Sequence, residues 1–323
     1  MGGFTTTGLA TYVRENADKI YTNAALGAQT IKDLGITVQA GIKYQDSLMN
    51  FVNVANFVSD ANCGSLTASG SSTFDDRVIT VTPIRWFDQW CPKDLEQKFT
   101  STKLLAGAQN QQETLAFEEL IMGEVMKNIN TQLEYAVWQG DTTNHVFNTN
   151  LKQFNGFLQI IDGASPITAT ATADVTTSNI IGILDNIYDN IPAALMNNPE
   201  REMIAYTGYD NFKLLVVAAK ALNYYHFDPA QAYKNMELTM PGTGLKVKAV
   251  KGLTNFTGTT SAYKDRIICT YASNFVYGTD LANDHEEARV WYSQDDDVIK
   301  GLIRWKSGCQ IAVPSEVISY KNS

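Results

Sequence analysis

A long amphipathic segment at 111–139 constrains the fold of this chain more than any other feature. Its apolar residues recur every four positions, which places them on one face of a helix. They are Phe117, Ile121, Val125, Ile129, Leu133 and Val137, with Leu115, Leu120 and Ala136 widening the stripe. Gly140 follows as a stop signal. A helix of about 43 Å, at 1.5 Å per residue, predicts the backbone of a domain that other elements must cover.

Residues 48–58 and 75–87 predict two long strands joined by a polar tip. Both are rich in β-branched and aromatic residues, and side chains alternate between two faces along 78–82. The tip, 59–73, consists of small and polar residues, and Pro83 argues against a central sheet position beyond it. Two strands alone are not stable in water, so this hairpin must rest on a partner.

Residues 1–40 hold two short helical patterns. One begins at Thr11-Tyr12-Val13, and the other is marked by Ala24, Leu26, Ala28 and Ile31. Neither is long enough to be stable by itself. We therefore expect an N-terminal arm that must lie on something else.

The rest of the chain alternates between strand and helix patterns. Strands are predicted at 154–162, 203–206, 245–253 and 265–281, and the last of these contains a bend. Two further strands, 288–294 and 298–314, are predicted to form a hairpin around the turn Asp295-Asp296-Asp297. A helix is predicted over 177–196, capped by Thr177 or Ser178, with one apolar face formed by Ile180, Ile183, Leu184 and Ile187. A second helix is predicted over 207–222, and its inward residues are Leu214, Leu215 and Val217. The pattern indicates an α+β chain with an α/β portion.

Composition excludes several classes of protein. A formal net charge of −9 without a basic stripe argues against direct nucleic-acid binding as the main task. Hydrophobic residues make up 44% of the chain, which excludes a wholly disordered protein. No apolar run reaches the 18 or so residues of a transmembrane helix, and the N-terminus does not resemble a secretory signal.

Catalytic and metal-binding patterns are absent from the sequence. The four cysteines, at 63, 91, 269 and 309, form no CxxC pair and are expected to be reduced thiols. The histidines are His145, His226 and His285. Asp284, Glu286 and Glu287 around His285 offer carboxylates to a cation, but their spacing favours a solvated loop. We predict no catalytic, cofactor-binding or metal-binding residue.

The order of elements resembles the tailed-phage major capsid proteins with the HK97 fold. The most specific stretches are ITVTPIRWFDQWCPKDLEQKF at 79–99, LEYAVWQGDTTN at 133–144 and FNGFLQII at 154–161. In that family a strand leads into a short helix, and the long "spine" helix ends in a Gly-Asp turn. An Asn-Gly-hydrophobic strand then follows. The resemblance covers most of the chain, although no single motif is diagnostic.

This resemblance implies a shell-building protein that is not an enzyme. It implies an N-terminal arm at 1–40, an extended E-loop hairpin at 41–90, and a peripheral domain at 91–176 with its spine helix at 111–139. An axial domain would follow at 177–285, and 286–323 would supply peripheral strands and a return to the axial domain. Copies of the chain would form the hexamers and pentamers of an icosahedral head around double-stranded DNA.

The same resemblance sets the expected partners and place. The shell would be assembled in the host cytoplasm and would end in the virion. Its partners would be other copies of itself, a portal, and any separate scaffold or decoration proteins. Packaged DNA would be touched only weakly and nonspecifically, which suits an acidic chain, and no membrane or cofactor is implied.

Two alternatives remain open at this stage. One is an encapsulin-like compartment shell, which shares the fold but has a helix in place of the arm; the open arm expected here favours the phage protein. The other is a cytosolic α/β enzyme of unknown chemistry.

Some members of the family join a hairpin lysine to an asparagine of a neighbour. Residues 44–92 contain no lysine, and the nearest are Lys43 and Lys93 at the base of the hairpin. Arginine is too basic to act as the nucleophile. We therefore expect no covalent cross-links of this kind. We expect Cys63, in the tip of the hairpin, to be a reduced thiol.

Overall fold

Two β-sheets and a separate two-stranded hairpin organise the chain. The structure is a computed structural model that describes residues 6–58, 69–91, 115–143, 148–169, 174–196, 201–222, 236–240, 242–255, 263–280, 288–296 and 298–322. The helices are α1 (Thr6–Glu15), α2 (Ala17–Leu26), α3 (Gln29–Asp33), α4 (Leu115–Gln139), α5 (Phe157–Gly163), α6 (Ile180–Asp189), α7 (Ala193–Met196) and α8 (Tyr209–Ala221).

The strands follow the same chain order. They are β1 (Thr37–Ala40), β2 (Gln45–Val54), β3 (Ser71–Thr80), β4 (Thr82–Trp90), β5 (Ile167–Thr168), β6 (Met203–Thr207), β7 (Glu237–Thr239), β8 (Lys246–Ala249), β9 (Ile267–Tyr271), β10 (Phe275–Thr279), β11 (Ala288–Ser293), β12 (Val298–Ile311) and β13 (Ile318–Tyr320). Short 3₁₀ turns lie at Thr149–Lys152, Lys251–Leu253, Ala272–Asn274 and Pro314–Glu316.

The five-stranded sheet is built around the long strand β12. One edge of β12 pairs with β4. The other edge pairs with β11 in the first half of β12 and with β10 in its last residues, and all three pairings are antiparallel. β1 adds to β10 in parallel. The predicted hairpin around the Asp295 turn is confirmed by the β11–β12 register, and the confinement of Pro83 to a sheet edge is confirmed by its place in β4.

The six-stranded sheet has the order β5-β13-β9-β6-β8-β7. One face packs on α6 and α8, where the predicted stripe Ile180, Ile183, Leu184 and Ile187 is buried as expected. The other face meets α4 and α5 around Trp138, whose ring lies 5.4 Å from Phe157 and 5.1 Å from Phe275. The predicted bend at 265–281 is the turn at Ala272–Asn274, which carries the chain from β9 in this sheet to β10 in the other.

Helix α4 is the predicted long helix over its described part, 115–139. Ile129, Leu133 and Val137 of the stripe are buried, and Ile121 and Val125 are half-buried. Residues 92–114, including the predicted helix start, and the side chain of Phe117 lie outside the described residues. In the described part of the chain, no helix is long and apolar enough to cross a membrane.

The strand predicted at 154–162 is wrong, because 157–163 form the helix α5. A short apolar run cannot be told from a buried helix by its pattern alone. The cause lies in tertiary contacts: Gly156 donates its amide to the carbonyl of Gly140 at 2.8 Å, which brings the start of α5 against the end of α4. A Cβ on Gly140 would lie 2.5 Å from the carbonyl oxygen of Phe154 and 3.0 Å from the amide nitrogen of Gly156, so the approach needs glycine.

Smaller predictions also differ from the structure. Val217 is exposed on α8 rather than inward. The N-cap position of α6 is occupied by Asn179, not by Thr177 or Ser178, and no side chain caps the helix there. The strand predicted at 245–253 ends at Ala249 and gives way to a 3₁₀ turn. The second hairpin strand is two strands: β3 pairs with β2, whereas β4 at 82–90 belongs to the five-stranded sheet.

The expectation of an open N-terminal arm is corrected. Residues 6–33 hold three helices, and α1 and α2 cover α4 and the five-stranded sheet of their own chain. Val13, Ile20 and Ala24 are buried there beside Met126. The hydroxyl of Tyr277 donates to the carbonyl of Ala25 at 2.8 Å. The surface on which this segment lies is therefore within the same chain.

Candidate assembly interface

The hairpin β2–β3 pairs with no other strand in the described part of the chain. Its register runs from Gln45 opposite Thr80 to Val54 opposite Ser71. Ten residues per strand give a ribbon of about 33 Å. Both outer edges of the hairpin therefore carry backbone groups that pair with no described strand. Natural proteins usually cover or protect such exposed strand edges.

One face of this hairpin carries exposed apolar side chains, which we call the hairpin stripe. It consists of Met49, Phe51, Phe74 and Val78, which are 78%, 55%, 74% and 47% exposed. The rings of Phe51 and Phe74 lie opposite each other with centroids 5.0 Å apart. Apolar side chains gathered on one exposed ribbon mark an interaction surface more often than scattered ones do.

The base of the hairpin is anchored on its own sheet. Ile79 and Val81 are buried with Ile42 and Val276 in a small apolar cluster. The side chain of Gln310 accepts from Arg77 at 3.1 Å and donates to the carbonyl of Val78 at 2.6 Å. The base is thus fixed while the stripe stays uncovered.

A charge cluster lies where the chain enters the hairpin. Lys306 Nζ donates to Asp280 at 2.7 Å and to the carbonyl of Lys43 at 3.0 Å, and Lys43 Nζ lies 3.3 Å from the same carboxylate. Burial alone would raise the pKa of Asp280, but the two lysines outweigh it and hold that pKa below its usual 3.8. This pairing supports the geometry of the hairpin base.

The residues considered for chemistry are not brought together in a described site. His145, His226, Cys63 and the cluster around His285 lie outside the described residues. Cys269 and Cys309 are free and buried, and burial raises the pKa of Cys269 to about 12, so its thiol stays protonated. No group of three or more His, Cys, Asp or Glu within the described ranges is arranged to hold a metal ion.

The Gly-Asp and Asn-Gly stretches instead form a structural unit. Asp141 accepts a hydrogen bond from the hydroxyl of Tyr263 at 2.6 Å, and its amide donates to the carbonyl of Leu151 at 2.8 Å. Asn155 accepts from the amide and the hydroxyl of Thr142 at 3.1 and 2.9 Å. These contacts fix the junction between α4 and α5.

No family model matches this chain, and no curated protein matches it. Solved structures do. A chain of the satellite phage P4 procapsid that includes the size determination (Sid) protein is 11% identical, with a TM-score of 0.61 over 100% of this chain and 92% of that one.

Two further structures agree. The capsid of the empty GTA particle is 12% identical, with a TM-score of 0.55 over 93% of this chain and 90% of that one. The capsid of Myoviridae phage XM1 is 11% identical, with a TM-score of 0.52 over 91% of this chain and 92% of that one. Sequence identity this low shows the fold alone. The chain therefore has the HK97-like α+β fold of the tailed-phage capsid proteins, as the order of its elements predicts.

Proposed function

We propose that this chain is the major capsid protein of a tailed phage. Copies of it form hexamers and pentamers of an icosahedral head that encloses double-stranded DNA. The observation that carries the proposal is the hairpin β2–β3, which exposes Phe51 and Phe74 and two strand edges to solvent in a single chain. Such a surface is completed when a neighbouring copy covers it.

In this proposal the two sheets take the roles that the family resemblance implies. The five-stranded sheet with α4 is the peripheral domain, and the six-stranded sheet with α6 and α8 is the axial domain. Because β5 at 167–168 pairs in the six-stranded sheet and β10 at 275–279 pairs in the five-stranded one, we assign β5 to the axial domain and β10 to the peripheral domain. In the same assignment the paired strands β2 and β3 belong to the E-loop, and β4 at 82–90 belongs to the peripheral domain.

Partners follow from the same role. The shell contacts a portal, works with any separate scaffold or decoration proteins, and touches packaged DNA only nonspecifically. It is assembled in the host cytoplasm and ends in the virion. The solved capsids that share the fold support a structural rather than an enzymatic protein.

An encapsulin-like compartment shell is the second candidate function, and one observation favours it. The N-terminal segment forms the helices α1 and α2, so an open arm no longer argues against a compartment shell. The similarity to capsids of phage P4 and phage XM1 supports the phage role. Genes for a terminase and portal beside this gene would favour the phage role, and a gene for a cargo enzyme would favour the compartment.

Size-exclusion chromatography with negative-stain imaging of the purified full chain tests the shell role. A shell protein yields rings or megadalton particles. A small oligomer without rings at any concentration would contradict the proposal and favour an α/β enzyme instead.

A further inference from the structure

A cavity of about 680 Å³ lies between α4 and the five-stranded sheet. Its wall on the helix side includes Ile129, Leu133 and Ala136, which are spaced by four and three residues and so share one face of α4. The sheet supplies Trp86 of β4 and Trp305 of β12. A cavity of this size with apolar and aromatic walls is typical of sites for small organic molecules.

A glycine in β12 helps to keep this space open. The register places Trp86 opposite Ile303, on the side of the sheet that faces the helices. A Cβ on Gly301 would lie 2.8 Å from the ring of Trp90 and 3.3 Å from that of Trp86. Glycine therefore lets Trp86 lean towards Trp90, with ring centroids 5.9 Å apart. Because Trp305 lies in the other direction along β12, the space beside it stays open.

The indole of Trp305 brings an unused hydrogen-bond donor to this cavity. Trp305 is 6% exposed, and no described residue accepts from its Nε1. Three amide side chains of the lining are engaged elsewhere. Asn150 donates to Gln132 at 3.2 Å, and Gln153 donates to the carbonyl of Thr149 at 2.9 Å. A buried donor without an acceptor is unfavourable, so the cavity favours a ligand that brings an oxygen acceptor.

The charge of the lining favours an anion. Its ionisable residues are Arg85 and Arg304, and no aspartate or glutamate is present among the described residues that line it. The two arginines are directly opposite in the register and exposed, so they lie at the mouth of the cavity. Neither forms an ion pair or hydrogen bond with a described residue. Like charges that face each other across two strands are unfavourable unless an opposite charge joins them, and a guanidinium group suits a carboxylate.

The shape of the cavity favours a small ligand over a peptide. The hydrogen bond between Asn150 and Gln132 joins the turn Thr149–Lys152 to α4 and closes the side that faces this turn. The sheet and the helix close two other sides. An extended peptide needs a groove or a sheet edge along its length, whereas a compact ring system needs only one mouth. Trp305 and Phe154 offer aromatic surfaces on which such rings pack.

We propose that this cavity binds a small aromatic carboxylate. The rings of the ligand pack against Trp305 and Phe154, and one of its oxygens accepts from Nε1 of Trp305. Its carboxylate pairs with Arg85 and Arg304 at the mouth. The described lining belongs to a single chain, so binding does not depend on a shell, and the inference goes beyond the proposed function. A bound ligand also holds the edge strand β4 against α4 and so stabilises the folded chain.

Two fluorescent probes that differ only at their polar end test the site. Pyrenebutyrate carries a carboxylate, and pyrenebutanol carries a hydroxyl in its place. Each probe is titrated into the full chain, kept below the concentration at which it assembles, in buffer near physiological salt. Energy transfer from tryptophan reports binding. We expect one saturable site per chain and an affinity for the acid about tenfold or more above that for the alcohol. Saturating acid should also raise the melting temperature.

Three variants locate the site. Arg85→Gln with Arg304→Gln should lower the affinity for pyrenebutyrate about tenfold, to that of pyrenebutanol, and leave the alcohol unaffected. Arg289→Gln is the matched control, because this exposed arginine of β11 does not line the cavity, and it should change neither affinity. Trp305→Phe keeps an aromatic ring and removes the donor, so it should weaken both probes about threefold or more.

Equal affinity for the two probes in the wild type would overturn the proposal, as would an arginine variant that binds the acid like the wild type. A control variant that loses as much affinity as the arginine variant would also overturn it, because the charge of the whole sheet would then account for binding. If Trp305→Phe unfolds early, the arginine variant decides alone, since its two changes are exposed. An acetylated tripeptide amide with tryptophan between two aspartates that binds more tightly than pyrenebutyrate would replace the small ligand with a partner protein and overturn the assignment.

These outcomes are separate from those that test the shell role. A chain that binds the acid as expected but never assembles removes the proposed function and leaves this site. A chain that assembles but fails the probe measurements removes this site and leaves the proposed function.

Discussion

Glu134 of α4 binds Thr30 of α3 through both of its carboxylate oxygens. The amide of Thr30 donates to one oxygen at 2.8 Å, and the Thr30 hydroxyl donates to the other at 2.5 Å. Trp138 donates its indole N–H to the same hydroxyl at 2.6 Å, and the amide of Gly252 donates to Glu134 at 3.3 Å. One buried carboxylate thus joins the N-terminal helices, the long helix and the turn that follows β8.

This carboxylate should make stability depend on pH. Burial raises the pKa of Glu134 above its ordinary 4.5, and this outweighs the hydrogen bonds from Thr30 and Gly252 and the charge of Lys251, which lower it. A raised pKa in the folded state stabilises the fold fully below the ordinary pKa, and that contribution is lost as pH rises through the raised value.

We therefore expect the free energy of unfolding of the wild type, relative to Glu134→Gln, to fall as pH rises between 4.5 and the raised pKa. Denaturant melts across that range measure it. Glu124→Gln, at an exposed position of the same helix, controls for the loss of one negative charge. A difference that is flat, or that grows with pH, would contradict the assignment.

Ile129 should carry a large share of the packing of α4. It is buried with Met126, Val290 and Trp305 between the helix and the five-stranded sheet. Ile129→Ala removes this packing and leaves a cavity, which should cost about 2–5 kcal/mol in the free energy of unfolding. Val125→Ala, at a half-buried position one turn earlier, should cost less. A loss under about 0.5 kcal/mol for Ile129→Ala would show that this face is not a packed core.

The hairpin stripe should matter for assembly and not for folding. Phe51→Ser with Phe74→Ser alters two side chains that are exposed in the single chain, so the melting temperature should change little. Assembly should be lost, because the apolar surface that a neighbour buries is gone. The matched control, Phe51→Leu with Phe74→Leu, keeps that surface apolar and should still assemble. Shells of normal yield from the serine variant would refute a role for the stripe.

Assembled particles should contain no covalent links between chains. The hairpin region from 44 to 92 lacks lysine, and the Lys43 ammonium at its base is within 3.3 Å of the Asp280 carboxylate. Boiling particles in detergent with reductant should give one band near 35.7 kDa on a gel. Ladders that survive the reductant would show that other residues form such links.

Local patterns predicted the elements whose burial is periodic along the sequence. The stripe of α4, the face of α6 and the β11–β12 hairpin follow from spacing alone. The helix at Phe157 was missed because a contact between Gly140 and Gly156 decides it, and periodicity does not show that contact. The Glu134–Thr30 pair joins residues 104 positions apart, so neither residue is singled out locally.

The interface was predictable only in outline. An exposed two-stranded hairpin follows from the sequence, but its pairing register and the break between β3 and β4 do not. Arg85, Arg289 and Arg304 come together on one side of the five-stranded sheet only through the β12 register, so the sequence does not show that they are neighbours. A charge count over the whole chain, which is acidic, conceals such a surface.

A cryo-electron microscopy map of the assembled particles, at a resolution that shows side chains, tests the central claim most directly. The account predicts hexamers and pentamers in which each hairpin lies on a different subunit, with Phe51 and Phe74 buried at that contact. A map in which the hairpin lies on its own subunit, or projects uncovered into solvent, would contradict it.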